Sequence, residues 1–270
     1  MQADAIDTYV AAFRARCDFL RRPVRPEIEE PGVQGLLPGG DDPLARLLVT
    51  DDRAYDLLAA LLPDLRAGMI AIVTTATRCL RLVTSNPAWT ANTVTAMVCR
   101  DIGKVPVSPL PKELSLRPVR RLAGDEPAGV PLEDAVAAAM SADPRINDEP
   151  RAFADYLRSL PPTFRLFAAV ESNDAVRATS GSGVFGTYAN VMFVNTHRDW
   201  RRRGIGRAMT GAALRAARDS GATQACLDAT AEARAIYARL GFEVAADVAR
   251  FFRSHSPAAL PRDVADHTAR

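Results

Sequence analysis

The sequence predicts a mixed α/β (α+β) fold, and three observations support that class. Apolar residues make up 48% and charged residues 24% of the 270 residues, which is an ordinary balance for a globular protein. Segments with helical spacing of apolar residues alternate with segments rich in β-branched residues. Glycine and proline punctuate them, most clearly in a loop with three prolines between Val105 and Pro111. We therefore expect two units that meet near residue 112.

The first unit, residues 1–112, has the pattern of a small α+β domain. Its predicted elements are helices over 5–20 and 51–68 and strands over 69–85 and 93–101. Residues 22–43 between them predict a turn-rich loop. Asp51 or Asp52 would cap the second helix, which would end near Gly68. No residue pattern in this unit indicates a chemical activity.

The second unit, residues 113–255, carries a longer series of elements. Strands are predicted over 114–120, 164–171, 175–186, 188–199 and 223–229, and a last strand pair within 242–252. Helices are predicted over 131–140, 149–160, 204–220 and 231–240. The composition of residues 256–270 predicts a partly mobile tail.

The stretch "THRDWRRRGIGRAMT", residues 196–210, places two glycines between a strand and a helix. A helix that starts after glycines offers unpaired N–H groups and a positive dipole end, which suit a phosphate. A P-loop would need a lysine after its second glycine, and none stands here. A dinucleotide-binding turn would need a third glycine where Met209 stands. Both of these phosphate sites are therefore excluded, and a purely structural turn remains the simplest alternative.

The same stretch resembles the pyrophosphate-binding signature of the GNAT superfamily of acyl-CoA-dependent N-acetyltransferases, Arg/Gln-x-x-Gly-x-Gly/Ala. A second stretch, "TAEARAIYARLGFE", resembles the late helix of that superfamily. The matching residues are Arg201, Gly204 and Gly206 in the first stretch and Ala233, Tyr237, Gly241 and Phe242 in the second. The resemblance covers about half of the chain and leaves the first unit unexplained. It implies a mixed, mostly antiparallel central sheet flanked by helices.

The resemblance also implies acetyl-CoA as the acyl-donor co-substrate and no metal. Backbone amides of the glycine turn would hold the pyrophosphate, Arg201 would anchor the turn, and the preceding strand would pair through its main chain with the pantetheine arm. The residues implied in binding are Val194, Asn195, Thr196, Arg201, Arg202, Arg203, Gly204, Ile205, Gly206, Arg207, Thr230 and Ala233. Thr230 stands where relatives often carry an asparagine.

The implied reaction is attack of a neutral primary amine, on a small molecule or a protein, upon the thioester within a ternary complex. This chemistry needs a base, donors for the oxyanion and an acid for the departing thiolate. Tyr237 is the candidate acid, because a phenol with a reference pKa of about 10 stays protonated at neutral pH. The strand before the turn has no glutamate, so no base is assigned. The nearby titratable side chains are Glu171, His197, Asp199 and Asp228.

The net charge and the positions of the cysteines indicate which binding partners and which cellular compartment to expect. A net charge of +2, from 34 basic and 32 acidic residues, gives no global field, so we expect no nucleic-acid or membrane partner. The basic stretch "RDWRRR" is the one feature that favours nucleic acid. The four cysteines are scattered, which argues against a zinc site and a disulfide framework. The acidic N-terminal residues do not fit a signal peptide. We expect a cytoplasmic monomer or homodimer.

The sequence does not identify the amine acceptor or the role of the first unit. In the superfamily the acceptor groove is usually lined by the first helices and their connecting loop, where Asp143, Asp148 and Glu149 could attract a cationic amine. The first unit is either a degenerate second copy of the same fold, as in tandem members of the superfamily, or a partner surface, or a lid. Because no glutamate precedes the glycine turn, a non-catalytic acyl-CoA-binding regulatory module is the alternative function.

Overall fold

A computed structural model describes residues 2–20, 27–38, 45–121, 129–142, 150–160 and 163–253. The chain divides into two units, the first comprising residues 1–97, 228–232 and 244–270, and the second residues 98–227 and 233–243. This division differs from the expected meeting point near residue 112, because 98–111 lie in the second unit. In that unit the Ile102 N–H donates to the Thr223 carbonyl at 3.0 Å. The predicted tail, 256–270, lies outside the described residues.

Helices and strands occur along the whole described chain. The earlier elements are α1 (Gln2–Leu20), β1 (Glu27–Glu30), β2 (Val33–Leu36), β3 (Ala45–Val49), α2 (Tyr55–Leu61), β4 (Gly68–Val73), α3 (Thr77–Thr84) and β5 (Thr90–Cys99). The later elements are β6 (Ser115–Arg120), β7 (Val130–Pro131), α4 (Leu132–Ala142), α5 (Pro150–Ser159), β8 (Arg165–Val170), β9 (Val176–Phe185), β10 (Tyr188–Thr196), α6 (Ile205–Asp219), β11 (Gln224–Ala229), α7 (Arg234–Ala238) and β12 (Glu243–Arg253). Among the described helices, none is both long and apolar enough to cross a membrane.

The sheet of the first unit has the strand order β1-β2-β3-β4-β12-β5. The pairs β1–β2, β2–β3 and β4–β12 are antiparallel, while β3 and β4 run parallel on either side of α2. Leu47, Ile70, Ile72 and Phe251 are fully buried in its core. This core of aliphatic side chains supplies most of the stabilisation of the unit, since burial of apolar surface is the dominant favourable contribution to folding.

The predicted strand over 69–85 is wrong in its second half, which forms the helix α3. Its threonines and valine favour a strand locally, but the carboxylate of Asp52 caps the helix from a distant part of the chain. Asp52 Oδ1 accepts hydrogen bonds from the N–H groups of Arg78 at 2.8 Å and Cys79 at 2.9 Å. Asp52 lies 26 residues before Arg78, and it pairs with N–H groups in the first turn of α3 that have no partner within the helix. Because this cap is so distant in the sequence, no local pattern predicts the start of the helix.

Two other predictions for this unit need correction. Residues 22–43 are not all loop, because β1 and β2 form a hairpin there through Gly32, whose φ of 84° suits glycine. The predicted helix over 51–68 is a 3-10 turn at Asp52–Ala54 followed by the short helix α2. Asp51 does cap this segment, accepting the Arg53 N–H at 2.9 Å.

The sheet of the second unit has the strand order β11-β10-β9-β8-β6-β7. The pairs β6–β8, β8–β9 and β9–β10 are antiparallel, and β10–β11 and β6–β7 are parallel. Helices α4 and α5 bury apolar residues with β6 and β8, and α6 packs on β8, β9 and β10. The predicted mixed, mostly antiparallel sheet flanked by helices is thereby confirmed.

Successive side chains of β9 point to opposite faces of this sheet. Ser180 and Ser182 are buried and donate to the carbonyl oxygens of Met209 and Ala213 in α6, each at 2.9 Å. Gly181 faces the other way, where a Cβ would come within 2.6 Å of the Phe164 ring. Small residues in β9 therefore let α6 approach the strand closely on one face and the Phe164 ring on the other.

The end of the chain also departs from prediction. The expected strand pair within 242–252 is the single strand β12. The expected helix over 231–240 contains only the five residues of α7. Tyr237 and Leu240 are buried, while Ile236 is 39% exposed. Ile236 lies beside the start of α6 rather than in the core, since a Cβ on Gly206 would be 4.0 Å from Ile236 Cδ1.

Candidate active site

Residues 197–204 connect β10 to α6 and form what we call the arginine-glycine turn. A 3-10 helix at Arg198–Trp200 opens it, and the chain then reverses through Arg202 and Gly204, with φ values of 67° and 76°. Arg201 Nε donates to the Thr196 carbonyl oxygen at 3.2 Å. The turn is therefore fastened to the end of β10 by an arginine side chain.

The first turn of α6 presents main-chain donors. Gly204 is its N-cap and has no side chain to satisfy them, and the N–H groups of residues 205–207 have no carbonyl four residues earlier within the helix. A Cβ on Gly204 would meet nothing within 4 Å, and one on Gly206 would approach only Ile236 Cδ1 and Thr196 Oγ1, each at 4.0 Å. Together with the positive end of the helix dipole, these open amides suit a phosphate. We call the N–H groups of residues 202–207 the amide cradle.

Arginine side chains surround the amide cradle. Arg202, Arg203 and Arg207 are exposed. The guanidinium of Arg203 lies over the Trp200 ring, 4.7 Å from its centroid, and the guanidinium of Arg177 lies 5.9 Å from the same ring. Such cation–π contacts stabilise by about 0.5–1 kcal/mol at exposed sites. Trp200 therefore helps to order the turn through its neighbouring cations.

Strand β10 leaves one edge of its main chain open next to this turn. Its pairing with β11 ends at Asn190 and Cys226, whereas its pairing with β9 continues to Thr196. The His197 N–H donates to the Arg177 carbonyl at 2.8 Å, which identifies these residues as a hydrogen-bonded pair of the antiparallel ladder. Because such pairs alternate, the N–H and C=O of Thr196 face away from β9. We call this side of residues 191–196 the open edge of β10.

A β-bulge interrupts β10 along the open edge. The register shifts by one residue between Met192 and Asn195, and Phe193 within the bulge has a φ of 58°. A bulky residue in this conformation costs about 1–3 kcal/mol. The Phe193 carbonyl oxygen accepts a hydrogen bond from Thr179 Oγ1 at 2.9 Å. Since the C=O and the following N–H of a trans peptide point in opposite directions, the Val194 N–H points away from the Thr179 hydroxyl.

Tyr237 lies on α7, beside the first turn of α6. Its side chain is buried, with 7% exposed, and its ring packs against Phe242 with 6.0 Å between centroids. Burial raises the pKa of the Tyr237 phenol to about 12. The phenol is therefore protonated throughout the neutral range and can act only as a hydrogen-bond or proton donor there.

Two further residues of the predicted binding set lie around α7. Ala233 is the N-cap of α7, and its carbonyl accepts the N–H groups of Ile236 at 2.9 Å and Tyr237 at 3.3 Å. Thr230 is half-buried and falls in segment 228–232 of the first unit. Its contact with the cofactor stays a prediction from the resemblance.

The carboxylates named as neighbours of the site are engaged in ion pairs. Glu171 pairs with Arg177, and Asp199 Oδ1 lies 3.6 Å from Arg198 Nε. In the first unit, Asp228 accepts hydrogen bonds from Tyr9 Oη at 2.8 Å and Arg250 Nη1 at 3.2 Å. Within the described ranges no three His, Cys, Asp or Glu side chains are grouped in a way that could hold a metal ion.

Two small cavities adjoin the bulge on the side of α4. One has an apolar lining that includes Ala135, Val136 and Phe193. The other has polar side chains in its wall, among them Asn195 and His197. Thr179 lines both cavities. The acidic residues expected at the acceptor groove, Asp143, Asp148 and Glu149, lie outside the described residues.

Sequence reasoning missed Phe193 and Thr179, and it read Trp200 only as part of a basic stretch. The bulge leaves no compositional signal, because "VMFVNT" has ordinary strand composition. Thr179 is one of several small polar residues in β9, and which of them reaches β10 depends on the register. The position of Trp200 among arginines could have indicated its contact with Arg203, because a tryptophan in a basic stretch favours a cation–π contact as well as stacking on a nucleic-acid base.

Residues 162–244 match a family model described as an acetyltransferase (GNAT) domain. The matched range begins before β8 and ends within β12, so it includes the open edge of β10, the amide cradle and Tyr237. A search of curated proteins finds no match to the chain.

Solved structures share the fold over most of the chain. A GCN5-related N-acetyltransferase from Kribbella flavida is 21% identical, with a TM-score of 0.58 over 93% of this chain and 99% of that one. One from Sphaerobacter thermophilus is 15% identical, with a TM-score of 0.55 over 84% and 78%. A tandem GNAT protein from the clavulanic acid biosynthesis pathway is 17% identical, with a TM-score of 0.51 over 83% and 79%. The resemblance found in the sequence is thereby confirmed as a matter of fold.

Proposed function

We propose, from the premise that residues 162–244 are a GNAT acetyltransferase domain, that this chain transfers an acetyl group from acetyl-CoA to a primary amine. The acceptor is a small molecule or a protein amine, which attacks directly within a ternary complex. The observation that carries the proposal is the amide cradle at the start of α6 beside the open edge of β10. Acetyl-CoA is a substrate in this proposal, and no metal takes part.

The amide cradle fits the pyrophosphate of acetyl-CoA. A Cβ on Gly204 would meet no protein atom within 4 Å, so space for a ligand is open beside the cradle. A doubly charged pyrophosphate gains from several charge-assisted hydrogen bonds and from the helix dipole. Arg202, Arg203 and Arg207 add positive charge around it, and Arg201 holds the turn.

The open edge of β10 fits the pantetheine arm, whose amides can pair with a strand as a neighbouring strand would. Thr196 presents its main chain on this edge. We place the Val194 N–H on the same edge, because the carbonyl of its peptide is held on the other side by Thr179. We assign the Val194 N–H as a donor to the thioester carbonyl. A donor held in place there stabilises the oxyanion that forms when the amine attacks, without reorganisation during the reaction.

Tyr237 is proposed as the donor to the departing sulfur. The phenol hydrogen-bonds the thiolate as the carbon–sulfur bond breaks and gives it a proton. A pKa of about 12 makes the phenol a weak acid, so the hydrogen bond to sulfur contributes from the start of bond breaking. The amine must enter neutral or lose its proton to water, because Glu171 and Asp199 are held in ion pairs.

An assay for released CoA tests this function with the full chain. Free thiol is measured after acetyl-CoA is mixed with a panel of amino acids, polyamines, amino sugars and lysine peptides. All four cysteines are buried, so the protein itself contributes little thiol background. We expect release with at least one amine class and stabilisation by acetyl-CoA of about 2.7 kcal/mol at 100 times its Kd.

The regulatory alternative is separated by the same two measurements. A non-catalytic acyl-CoA-binding module would be stabilised by acetyl-CoA but would release no CoA with any amine. It is favoured by the absence of a glutamate on β10, where "YANVMFVNT" carries no carboxylate. If acetyl-CoA causes no thermal shift, the transferase and the module are both wrong.

We further infer that the first unit is a degenerate second copy of the same fold. In each unit two antiparallel pairs lead into a parallel pair that flanks a helix: β1-β2-β3-α2-β4 in the first and β8-β9-β10-α6-β11 in the second. At the turn corresponding to the amide cradle, the first unit has Asp51, whose carboxylate accepts the Arg53 N–H. An acidic side chain at that place satisfies the amide and repels phosphate.

A stoichiometry of one acetyl-CoA per chain is therefore expected. Isothermal titration of the full chain with acetyl-CoA measures it directly, because the heat saturates at the molar ratio of functional sites. A ratio of two would show that the first unit keeps a site despite Asp51 and would contradict its assignment as degenerate.

A further inference from the structure

The hydroxyl of Thr179 makes a contact that its neighbours on β9 do not make. Ser180 and Ser182 donate to carbonyl oxygens of α6. Thr179 faces the opposite side of the sheet, is 2% exposed, and donates from Oγ1 to the Phe193 carbonyl oxygen at 2.9 Å. Its hydrogen bond therefore reaches the bulge in β10 and not a helix.

Contacts of both the carbonyl and the ring hold Phe193 in its unusual conformation. The carbonyl accepts the hydrogen bond from Thr179, and the ring packs edge-on against Phe164, with centroids 6.0 Å apart and planes at 87°. A positive φ at a bulky residue persists only where its surroundings over-determine it. Removing the hydroxyl would take away the hydrogen bond that fixes the direction of the Phe193 carbonyl.

The orientation of this peptide decides where the next N–H points. The peptide between Phe193 and Val194 is trans and planar, so holding its carbonyl at Thr179 also holds its N–H, which the proposed function places at the open edge of β10. A hydrogen bond accepted by the carbonyl also polarises the peptide, which strengthens its N–H as a donor. Both effects act on the same atom, the amide nitrogen of Val194.

We propose that Thr179 is a positioning residue for acetyl transfer: through the Phe193 carbonyl it aims the Val194 N–H at the thioester carbonyl of acetyl-CoA. This inference rests on the proposed function and adds to it a residue that contacts neither substrate nor reacting atoms. The hydroxyl is needed for its hydrogen bond, whereas the methyl group of the threonine only fills space between β9 and α4.

The test compares Thr179→Val, which keeps the shape and loses the hydroxyl, with Thr179→Ser, which keeps the hydroxyl. Ser182→Ala is the matched control, because it removes a buried hydroxyl-to-carbonyl hydrogen bond of the same length from the same strand without touching the bulge. We expect Thr179→Val to lower kcat about tenfold, with a change below about threefold in KM for acetyl-CoA. Thr179→Ser and Ser182→Ala should keep kcat within about threefold of the wild type.

A spectroscopic measurement reports on the aim of the Val194 N–H directly. With acetyl-CoA carrying ¹³C at the thioester carbonyl, a hydrogen bond from the protein moves the carbonyl resonance downfield on binding. This shift should shrink in Thr179→Val and persist in Thr179→Ser and Ser182→Ala. A purely structural role for Thr179 would lower the melting temperature without changing the resonance of bound acetyl-CoA.

The outcomes separate this inference from the function on which it rests. If the wild type releases CoA but Thr179→Val keeps both kcat and the carbonyl shift, the inference is overturned and the transferase stands. An equal loss of kcat in Ser182→Ala also overturns it. If no amine releases CoA, the transferase fails, and the carbonyl shift of bound acetyl-CoA still decides the role of Thr179. Failure of the wild type to bind acetyl-CoA overturns both.

Discussion

Replacing Gly206 by aspartate is expected to weaken acetyl-CoA binding at least about 100-fold while the protein stays folded. Gly206 lies in the first turn of α6, and a Cβ there has room within the protein, since its nearest neighbours would be 4.0 Å away. A carboxylate in the first turn of a helix favours folding through the dipole. Against a pyrophosphate in the amide cradle, the same charge is repelled by about 4 kcal/mol at 4 Å and an effective dielectric constant near 20.

Gly206→Asn is the matched control for this effect. It has nearly the same shape as the aspartate but no charge, so it separates repulsion from steric block. Titration with acetyl-CoA should show the highest affinity for the wild type, a lower one for Gly206→Asn and the lowest for Gly206→Asp. The melting temperatures of the three proteins without ligand should lie within a few degrees of one another. Equal affinity of wild type and Gly206→Asp would mean that the pyrophosphate does not bind at the start of α6.

Replacing Tyr237 by phenylalanine is expected to lower kcat by about 10²- to 10³-fold, the usual range for loss of a general acid. The KM for acetyl-CoA should change little, because the ring still packs against Phe242. Tyr188→Phe, which removes the phenol at the start of β10, is the control and should keep the wild-type kcat. Steady-state kinetics with the amine found in the CoA-release assay gives these values. An unchanged kcat in Tyr237→Phe would show that the sulfur leaves without help from the phenol.

The pH profile provides a second measurement on Tyr237. The active form is the neutral phenol, and burial raises its pKa to about 12, so the donor stays protonated across the alkaline range. The rate should therefore rise as the amine loses its proton and then stay level up to pH of about 10. A phenol with an ordinary pKa of about 10 would already have lost half of its donor form there.

The sequence predicted those local structures of the candidate site that depend on local chemistry. Gly204, Gly206 and the helix after them carry their own signal, because glycine at a helix start leaves amides open. Tyr237 was found through a motif, and in the structure it is buried with its ring against Phe242. What these residues share is that neighbours in sequence determine their conformation.

The remaining features depend on contacts between distant segments. The bulge at Phe193 follows from the register between β9 and β10, and nothing in the composition of β10 marks the extra residue. Helix α3 needs the carboxylate of Asp52, which reverses the strand preference of its threonines. Strand β1 was missed because only Ile28 of its four residues is buried, so it has too few apolar residues to show alternation.

The arginine-glycine turn is held by the protein's own contacts, through Arg201 on the Thr196 carbonyl and Arg203 over Trp200. Under the proposed function, acetyl-CoA meets a loop that is already shaped, and binding does not have to fold it. Little conformational entropy of the turn is then lost on binding, which favours affinity. The turn would act as a preorganised receptor, and docking of the donor substrate would resemble lock-and-key recognition more than coupled folding and binding.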